Sequence, residues 1–192
     1  MSTSAHPELV RFADCTDQPW ANGGGSTRVI AVGGDSPGGT FDWRLSIASV
    51  TSGAFSRFPR IDRVIVLAEG PPMTLTIDGE EHLLEPFRPK RFAGEAVVTC
   101  ETPQPSFDFN VMTRRQVCTA EVSIRVGSGH VSTSPGTLTV IVVLAGSATV
   151  RSADGHVAEL GRFDSVRLSS AADFSVEPQG RVALVRVTSA AR

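Results

Sequence analysis

Gly70-Pro-Pro-Met-Thr-Leu-Thr-Ile-Asp-Gly-Glu-Glu-His-Leu-Leu-Glu-Pro-Phe87 and Gly146-Ser-Ala-Thr-Val-Arg-Ser-Ala-Asp-Gly-His-Val-Ala-Glu-Leu-Gly-Arg-Phe163 are the same pattern written twice in one chain. Gly70 matches Gly146, Asp78-Gly79 matches Asp154-Gly155, Leu84 matches Leu160 and Phe87 matches Phe163, each at an offset of 76 positions. Both copies read as apolar strand, glycine, strand, Asp-Gly hairpin, strand, then an aromatic residue before another strand. The Asp-Gly pairs suit type I′ turns, whose positive φ angles match the twist of two-residue hairpins. A unit of this length is too long for a solenoid repeat and fits the core of a small antiparallel barrel. The chain therefore reads as a duplicated barrel, with Arg115–Ala120 as the joint between copies.

The remaining sequence agrees with an all-β fold. Short apolar or alternating runs bounded by Gly, Pro, Asp and Ser recur throughout, and helical periodicity is nearly absent, leaving room only for a few helical turns. Expected strands run over 27–32, 41–50, 63–68, 73–77, 96–100, 106–113, 121–126, 137–144, 148–151, 165–168 and 181–188. Of the 192 residues, 41% are apolar and 20% charged, with 18 Gly and 12 Pro, as in a soluble β-rich protein. A net charge of −2 with scattered Lys and Arg offers no basic stripe for a phosphate backbone, so nucleic acid is not an expected partner. The N-terminus has no signal-peptide pattern, and no run reaches the length of a membrane span; a cytoplasmic protein without membrane contact is expected. Three cysteines outside any CxxC pair read as buried free thiols rather than a disulfide framework.

Four segments carry unusual chemistry. Trp20-Ala-Asn-Gly-Gly-Gly-Ser-Thr-Arg28 places three glycines before a strand, where something must approach the backbone closely. The Asn22–Thr27 loop is either a nest of N–H groups for an anion or a tight turn leading into the first barrel strand. In Phe41–Ala48 the period-2 rule sets Arg44, Ser46 and Ala48 on a polar face, opposite Trp43, Leu45 and Ile47. In Asp108–Arg114 it sets Asp108, Asn110, Met112 and Arg114 together. If both polar faces point into one barrel, Arg44, Ser46, Asn110 and Arg114 converge beside the apolar Met112. Such a set suits a small carboxylate, because the guanidinium fork grips carboxylate oxygens bidentately and Asn can hold an amide. The alternative is a solvated face with each arginine paired to Asp42, Asp62 or Asp108. Phe55-Ser-Arg-Phe-Pro-Arg-Ile-Asp-Arg63 reads as a shaped loop over a barrel mouth, with Phe58 as a wall and either Asp62 or Arg63 reaching the site, or as a hydrophobic plug bearing a surface ion pair.

Together these segments, spanning residues 10–115, resemble the HutD/Ves family of bacterial double-cupin proteins. The resemblance implies a double-stranded β-helix (cupin) fold duplicated as a bicupin. It also implies a ligand-binding role tied to histidine utilisation, with N-formylglutamate, urocanate or a related acid as the ligand. In that family the third segment typically reads Phe-Ser-x-Phe-Pro-Gly-Ile-Asp-Arg, whereas Arg60 stands here in place of the glycine. Residues 1–115 form the expected N-terminal cupin barrel with the ligand site, and residues 116–192 a C-terminal cupin-like barrel that buttresses the first or supplies a homodimer contact.

Metal-bearing cupins use a His-x-His pair, a carboxylate and a later His. Here His6, His82, His130 and His156 are scattered, so neither metal nor other cofactor is expected. No nucleophile elbow or Cys/His arrangement is present, and an arginine near Asp62 or Asp108 is expected to lower its pKa and weaken it as a base. Binding is thus favoured over catalysis. A metal-independent isomerase or hydrolase acting on the same acids, and a stress-associated scaffold, are the alternatives. The expected ligand-binding residues are Asn22, Thr27, Arg44, Ser46, Phe58, Asp62, Arg63, Asn110, Met112 and Arg114.

Overall fold

A computed structural model describes residues 7–20, 23–34, 41–168 and 172–190. The first strand, β1 (Glu8–Val10), precedes a 3-10 turn at Phe12–Asp14. Then follow β2 (Asp17–Pro19), β3 (Gly25–Gly33), β4 (Trp43–Val50), β5 (Gly53–Ala54) and β6 (Ile61–Glu69). Next come β7 (Met73–Ile77), β8 (Glu80–Leu84), β9 (Lys90–Ala93), β10 (Val98–Glu101) and β11 (Ser106–Arg114). The chain ends with β12 (Cys118–Arg125), β13 (Gly129–Ser132), β14 (Thr137–Ser152), β15 (Val157–Leu160), β16 (Ser165–Leu168) and β17 (Asp173–Ser189). The fold is all-β, with no α-helix among the described residues.

Two compact units emerge, one of residues 15–119 and one that joins residues 120–192 to the N-terminal segment. The expected boundary at 115/116 thus shifts by a few residues, and residues 7–14 leave the first unit. The reason is β-pairing: Glu8, Leu9 and Val10 register against Arg167, Val166 and Ser165 of β16. Asp164 clamps the same segment. Its carboxylate accepts from Arg11 Nη1 at 2.6 Å, from the Phe12 N–H at 2.9 Å and from the Gly161 N–H at 3.0 Å, while Phe12 meets the Phe163 ring edge-on at 5.1 Å. Burial alone would raise the Asp164 pKa; these donors outweigh it and hold the carboxyl below its usual range.

The first unit is built from two sheets, β2-β3-β4-β11-β6-β9 and β5-β10-β7-β8. Ala48, Val50, Ile65, Leu67, Met73, Leu75, Leu84 and Cys100 pack between them as one apolar floor. In the second unit the long strands β14 and β17 pair over most of their length, with a register shift at Val143/Ala145, and carry β16 and β1 on one side and β12 on the other.

The 76-residue offset recurs in the backbone. The Phe87 N–H donates to Leu67 O at 2.9 Å and the Phe163 N–H to Val143 O at 2.7 Å. Both phenylalanines take a left-handed φ, 62° and 67°, a conformation that costs a non-glycine residue roughly 1 kcal/mol. The two hairpins differ, however. Asp78 and Gly79 have φ of 49° and 90°, the expected type I′ turn, whereas only Gly155 is left-handed in the second copy, where four residues separate Ser152 from Val157. The expected break at Gly146 is absent as well, since β14 runs through it as one strand.

Replacing Asp164 by alanine removes the acceptor of three hydrogen bonds, one of them charge-assisted, and is expected to cost about 2–3 kcal/mol. Equilibrium urea unfolding checks the loss, and faster proteolytic cleavage within residues 7–14 would locate it.

Candidate ligand-binding site

Hydrogen-bond registers across three neighbouring strands decide what lies inside the first unit. Met112 of β11 stands opposite Arg44 of β4 on one side and Arg63 of β6 on the other. Asn110 stands likewise between Ser46 and Ile65, and Asp108 between Ala48 and Leu67. Directly opposed residues share a face. Ala48, Ile65 and Leu67 belong to the apolar floor, so Arg44, Ser46, Arg63, Asp108, Asn110 and Met112 occupy the same interior. This polar row faces inward and lines a cavity of about 200 Å³. An apolar cavity of ~150 Å³ holds benzene, so this one has room for a single ring or a short dicarboxylate.

Across its mouth lie Gln18, Pro19, Trp20 and Thr27 from β2, β3 and their connection, with Phe55, Ser56 and Phe58 from the following loop. Trp20 Nε1 donates to Thr27 Oγ1 at 2.7 Å, and the Trp20 and Phe55 rings meet edge to face at 6.2 Å. The close approach demanded by the glycine triplet comes from the protein itself: a Cβ on Gly25 would sit 2.0 Å from Ser49 O of β4. The Gly23 N–H turns back to Trp20 O at 3.0 Å. These contacts match the tight-turn reading of the loop. Asn22, expected at the site, lies outside the described residues.

Arg63 is only 5% exposed. Its Nη2 donates to Asn110 Oδ1 at 2.6 Å, and its guanidinium lies 4.9 Å from the Phe92 ring centroid, 5.4 Å from Phe55 and 5.7 Å from Phe58. Burial pushes its pKa down to about 10, against the pull of Asp108, and the group stays charged at neutral pH. Arg44 is lowered by burial too; it stacks on Phe41 at 4.8 Å and Phe58 at 5.4 Å, and its Nη2 points at Met112 Sδ. Nε of both arginines is buried without a hydrogen-bond partner among the described residues.

Asp108 is 1% exposed, with Oδ1 accepting from Asn110 Nδ2 and Oδ2 without a partner among the described residues. Burial drives its pKa up to about 7, over the opposing effects of Arg63 and Asn110. Arg63 does act to lower it, as expected, but the net shift is upward, because desolvation of a fully enclosed carboxylate outweighs the attraction of Arg63 and the hydrogen bond from Asn110. Asn110 accepts from Arg63 through Oδ1 and donates to Asp108 through Nδ2, so it orients both side chains within the cavity wall.

Two expected residues fall away. Asp62 is exposed and pairs with Arg115 at 2.7 Å, since alternation along β6 sends it outward when Arg63 points in. Arg114, the last residue of β11, lies beyond the cavity and donates to Phe41 O at 3.0 Å, with Nε 3.7 Å from Asp42. Sequence reading missed Trp20, Phe55 and Asp108 as wall residues. The same period-2 rule that found Asn110 places Asp108 beside it, and that alternation was the available signal.

The wall holds a lone carboxylate and no imidazole, a donor set that does not fit a divalent metal. Among the described residues, no three His, Cys, Asp or Glu side chains group as metal ligands. Cys100 and Cys118 are buried free thiols as expected, while Cys15 is half-buried.

The HutD family model matches residues 12–185. The chain belongs to the HutD family. It is 32% identical over 186 residues to an "uncharacterized 21.2 kDa protein in hutC 3′ region" of Pseudomonas putida, covering 95% of this chain and 97% of that one. Protein Ves of Cronobacter sakazakii is 39% identical over 145 residues, 72% of this chain and 78% of its own. A HutD structure from Pseudomonas fluorescens, solved in a formate condition, superposes with a TM-score of 0.86 at 31% identity, covering 97% of this chain and all of that one. A cupin 2 conserved barrel protein of Leptotrichia buccalis, at 9% identity and a TM-score of 0.61, shares the cupin fold alone across 95% of this chain and 96% of its own.

Where the family typically has glycine, Arg60 takes a φ of 63° and passes its carbonyl to the Arg115 N–H at 2.9 Å. A left-handed φ at a non-glycine residue carries backbone strain. Arg60→Gly is expected to stabilise by about 0.5–1 kcal/mol, a rise of roughly 1–4 °C in Tm.

Asp108 has the opposite linkage to an ordinary paired carboxylate. Its folded pKa of about 7 exceeds the unfolded value, so the folded state binds more protons between about pH 4 and 7 and stability falls as pH rises through that window. Keeping the ionised group buried above pH 7 costs roughly 4 kcal/mol, at about 1.4 kcal/mol per pKa unit. Asp108→Asn is therefore expected to be more stable than wild type at pH 8, by up to a few kcal/mol, with the gap narrowing toward pH 4; urea titrations at both ends check it.

Proposed function

We propose that the chain binds a small acidic metabolite of the N-formylglutamate or urocanate type in the cavity of residues 15–119, without a metal, and regulates histidine utilisation in the cytoplasm. The observation that carries this reading is the pair of wall arginines, Arg63 buried and Arg44 half-buried, each with a buried Nε that finds no hydrogen-bond partner among the described residues, in a wall whose one carboxylate has its pKa raised to about 7. Two fixed positive charges against at most one negative leave a net attraction for an anion in a largely desolvated site. Guanidinium groups with open N–H donors match carboxylate oxygens, and the phenylalanine rings suit the flat or methylene part of the same molecule. A carboxylate ligand also agrees with the place in the hutC region named for the Pseudomonas putida relative.

A second reading rests on Asp108. A buried carboxyl poised near pH 7 beside an anion site is the usual equipment of a general acid or base, so a metal-independent isomerase or hydrolase acting on the same acids is the competing account.

Isothermal titration of metal-stripped protein with N-formylglutamate and with urocanate, followed by chemical analysis of the recovered acid, separates the two. Saturable binding with unchanged ligand supports the regulator, conversion by catalytic amounts of protein supports the enzyme, and no heat from either acid overturns both. Arg44→Ala is expected to weaken binding about 10- to 100-fold, the loss of one charge-assisted contact, with unchanged far-UV circular dichroism. Undiminished affinity in this variant would remove Arg44 from the site.

A further inference from the structure

Arg63 can only donate, so its bond to Asn110 Oδ1 fixes which way that amide points and leaves Asn110 Nδ2 to donate to Asp108 Oδ1. The chain of orientation ends at Asp108 Oδ2, a buried carboxyl oxygen without a partner among the described residues, on a residue that lines the cavity. Arg44 Nε and Arg63 Nε, likewise unpartnered, belong to the same wall. A ligand carboxylate seated at the arginines brings negative charge into the enclosure that holds Asp108 Oδ2. As an ionised oxygen Oδ2 would repel it; as O–H it would complete the donor set.

Resting on the binding reading above, we propose that Asp108 enters the complex as a neutral carboxylic acid and donates through Oδ2 to the ligand, so that the pocket takes up one proton from solvent with its anion. The groups facing Asp108 agree. Arg63 on β6 is the cation that favours its ionised form, and a bound anion offsets that cation; Arg44 on β4 lies beyond it. From β10 the Cys100 thiol faces it, held neutral by burial, which pushes its pKa up to about 11. Ala48 and Leu67, directly opposite on the neighbouring strands, supply no charge. The free pocket already holds Asp108 close to neutrality, so the added anion has only a short way to shift it. The consequence for selectivity is chemical: the pocket presents donors alone at this end, which suits carboxylate and carbonyl acceptors and disfavours a ligand that places an ammonium there.

Titration calorimetry with N-formylglutamate in HEPES and in Tris, buffers of different ionisation enthalpy, counts the protons taken up. With the free carboxyl titrating near pH 7, uptake is expected to be about 0.9 proton per ligand at pH 8 and about 0.1 at pH 6, and Kd should rise about tenfold from pH 8 to pH 9. Asp108→Asn, which keeps an N–H donor in place of the acid, should bind with no proton uptake and a flat Kd over that range. Equal heats in both buffers for the wild type overturn the proton uptake and leave the binding reading standing. Uptake that persists in Asp108→Asn assigns the proton elsewhere and overturns it as well. Absence of saturable heat at any pH overturns the binding reading, and the proton uptake with it.

Discussion

A guanidinium with 5% of its surface exposed is the constraint on which the first unit depends. Removing such a charge from water costs several kcal/mol even after relaxation. Arg63 recovers that cost from Asn110, from three phenylalanine rings and, at one remove, from Asp108. A charge-assisted hydrogen bond contributes about 1.5–3 kcal/mol and each desolvated cation–π contact about 1–2 kcal/mol, so the set is of the size required. Every element that supplies a partner is thereby committed: β11 to its register against β6, the 55–60 loop to its place over the mouth, β9 to presenting Phe92. The cavity is the space that this arrangement keeps open, and its charge follows from the same residues.

The second unit carries aliphatic residues at the strand positions where the first unit carries Asn110 and Asp108. Ile65 and Leu67 correspond at the 76-residue offset to Ile141 and Val143. Where Ile65 and Leu67 face Asn110 and Asp108, Ile141 and Val143 face Leu184 and Val182. Arg63 corresponds to Thr139, fully buried. The interior closes into one apolar cluster with Phe174, Leu160 and Leu168. With Leu184 and Val182 in the places of the polar Asn110 and Asp108, this interior packs as a core where the first unit lines a pocket.

Much of this was legible in the chain. Alternation set Arg44 and Ser46 on one face and Asn110 and Met112 on another, and the offset between the Asp-Gly hairpins exposed the two-fold pattern. Strands of two to four residues such as β5 and β9 escaped notice because so few residues carry no period of their own; they exist because a longer neighbour offers its hydrogen bonds. Phe87 and Phe163 gave no hint of a left-handed backbone, which the surrounding strands impose on them.

By itself the sequence determined the all-β class, the repeat, the family and which side chains share a face, since these depend on local period and spacing. Tertiary structure alone decided that the polar faces look inward, that Asp62 and Arg114 stand outside, that residues 7–14 pair with β16, and that Asp108 keeps its proton near neutrality. Each of these turns on what surrounds a group in space. Desolvation and cross-strand register arise only when segments distant in the chain are brought together, and no periodicity along one strand encodes them.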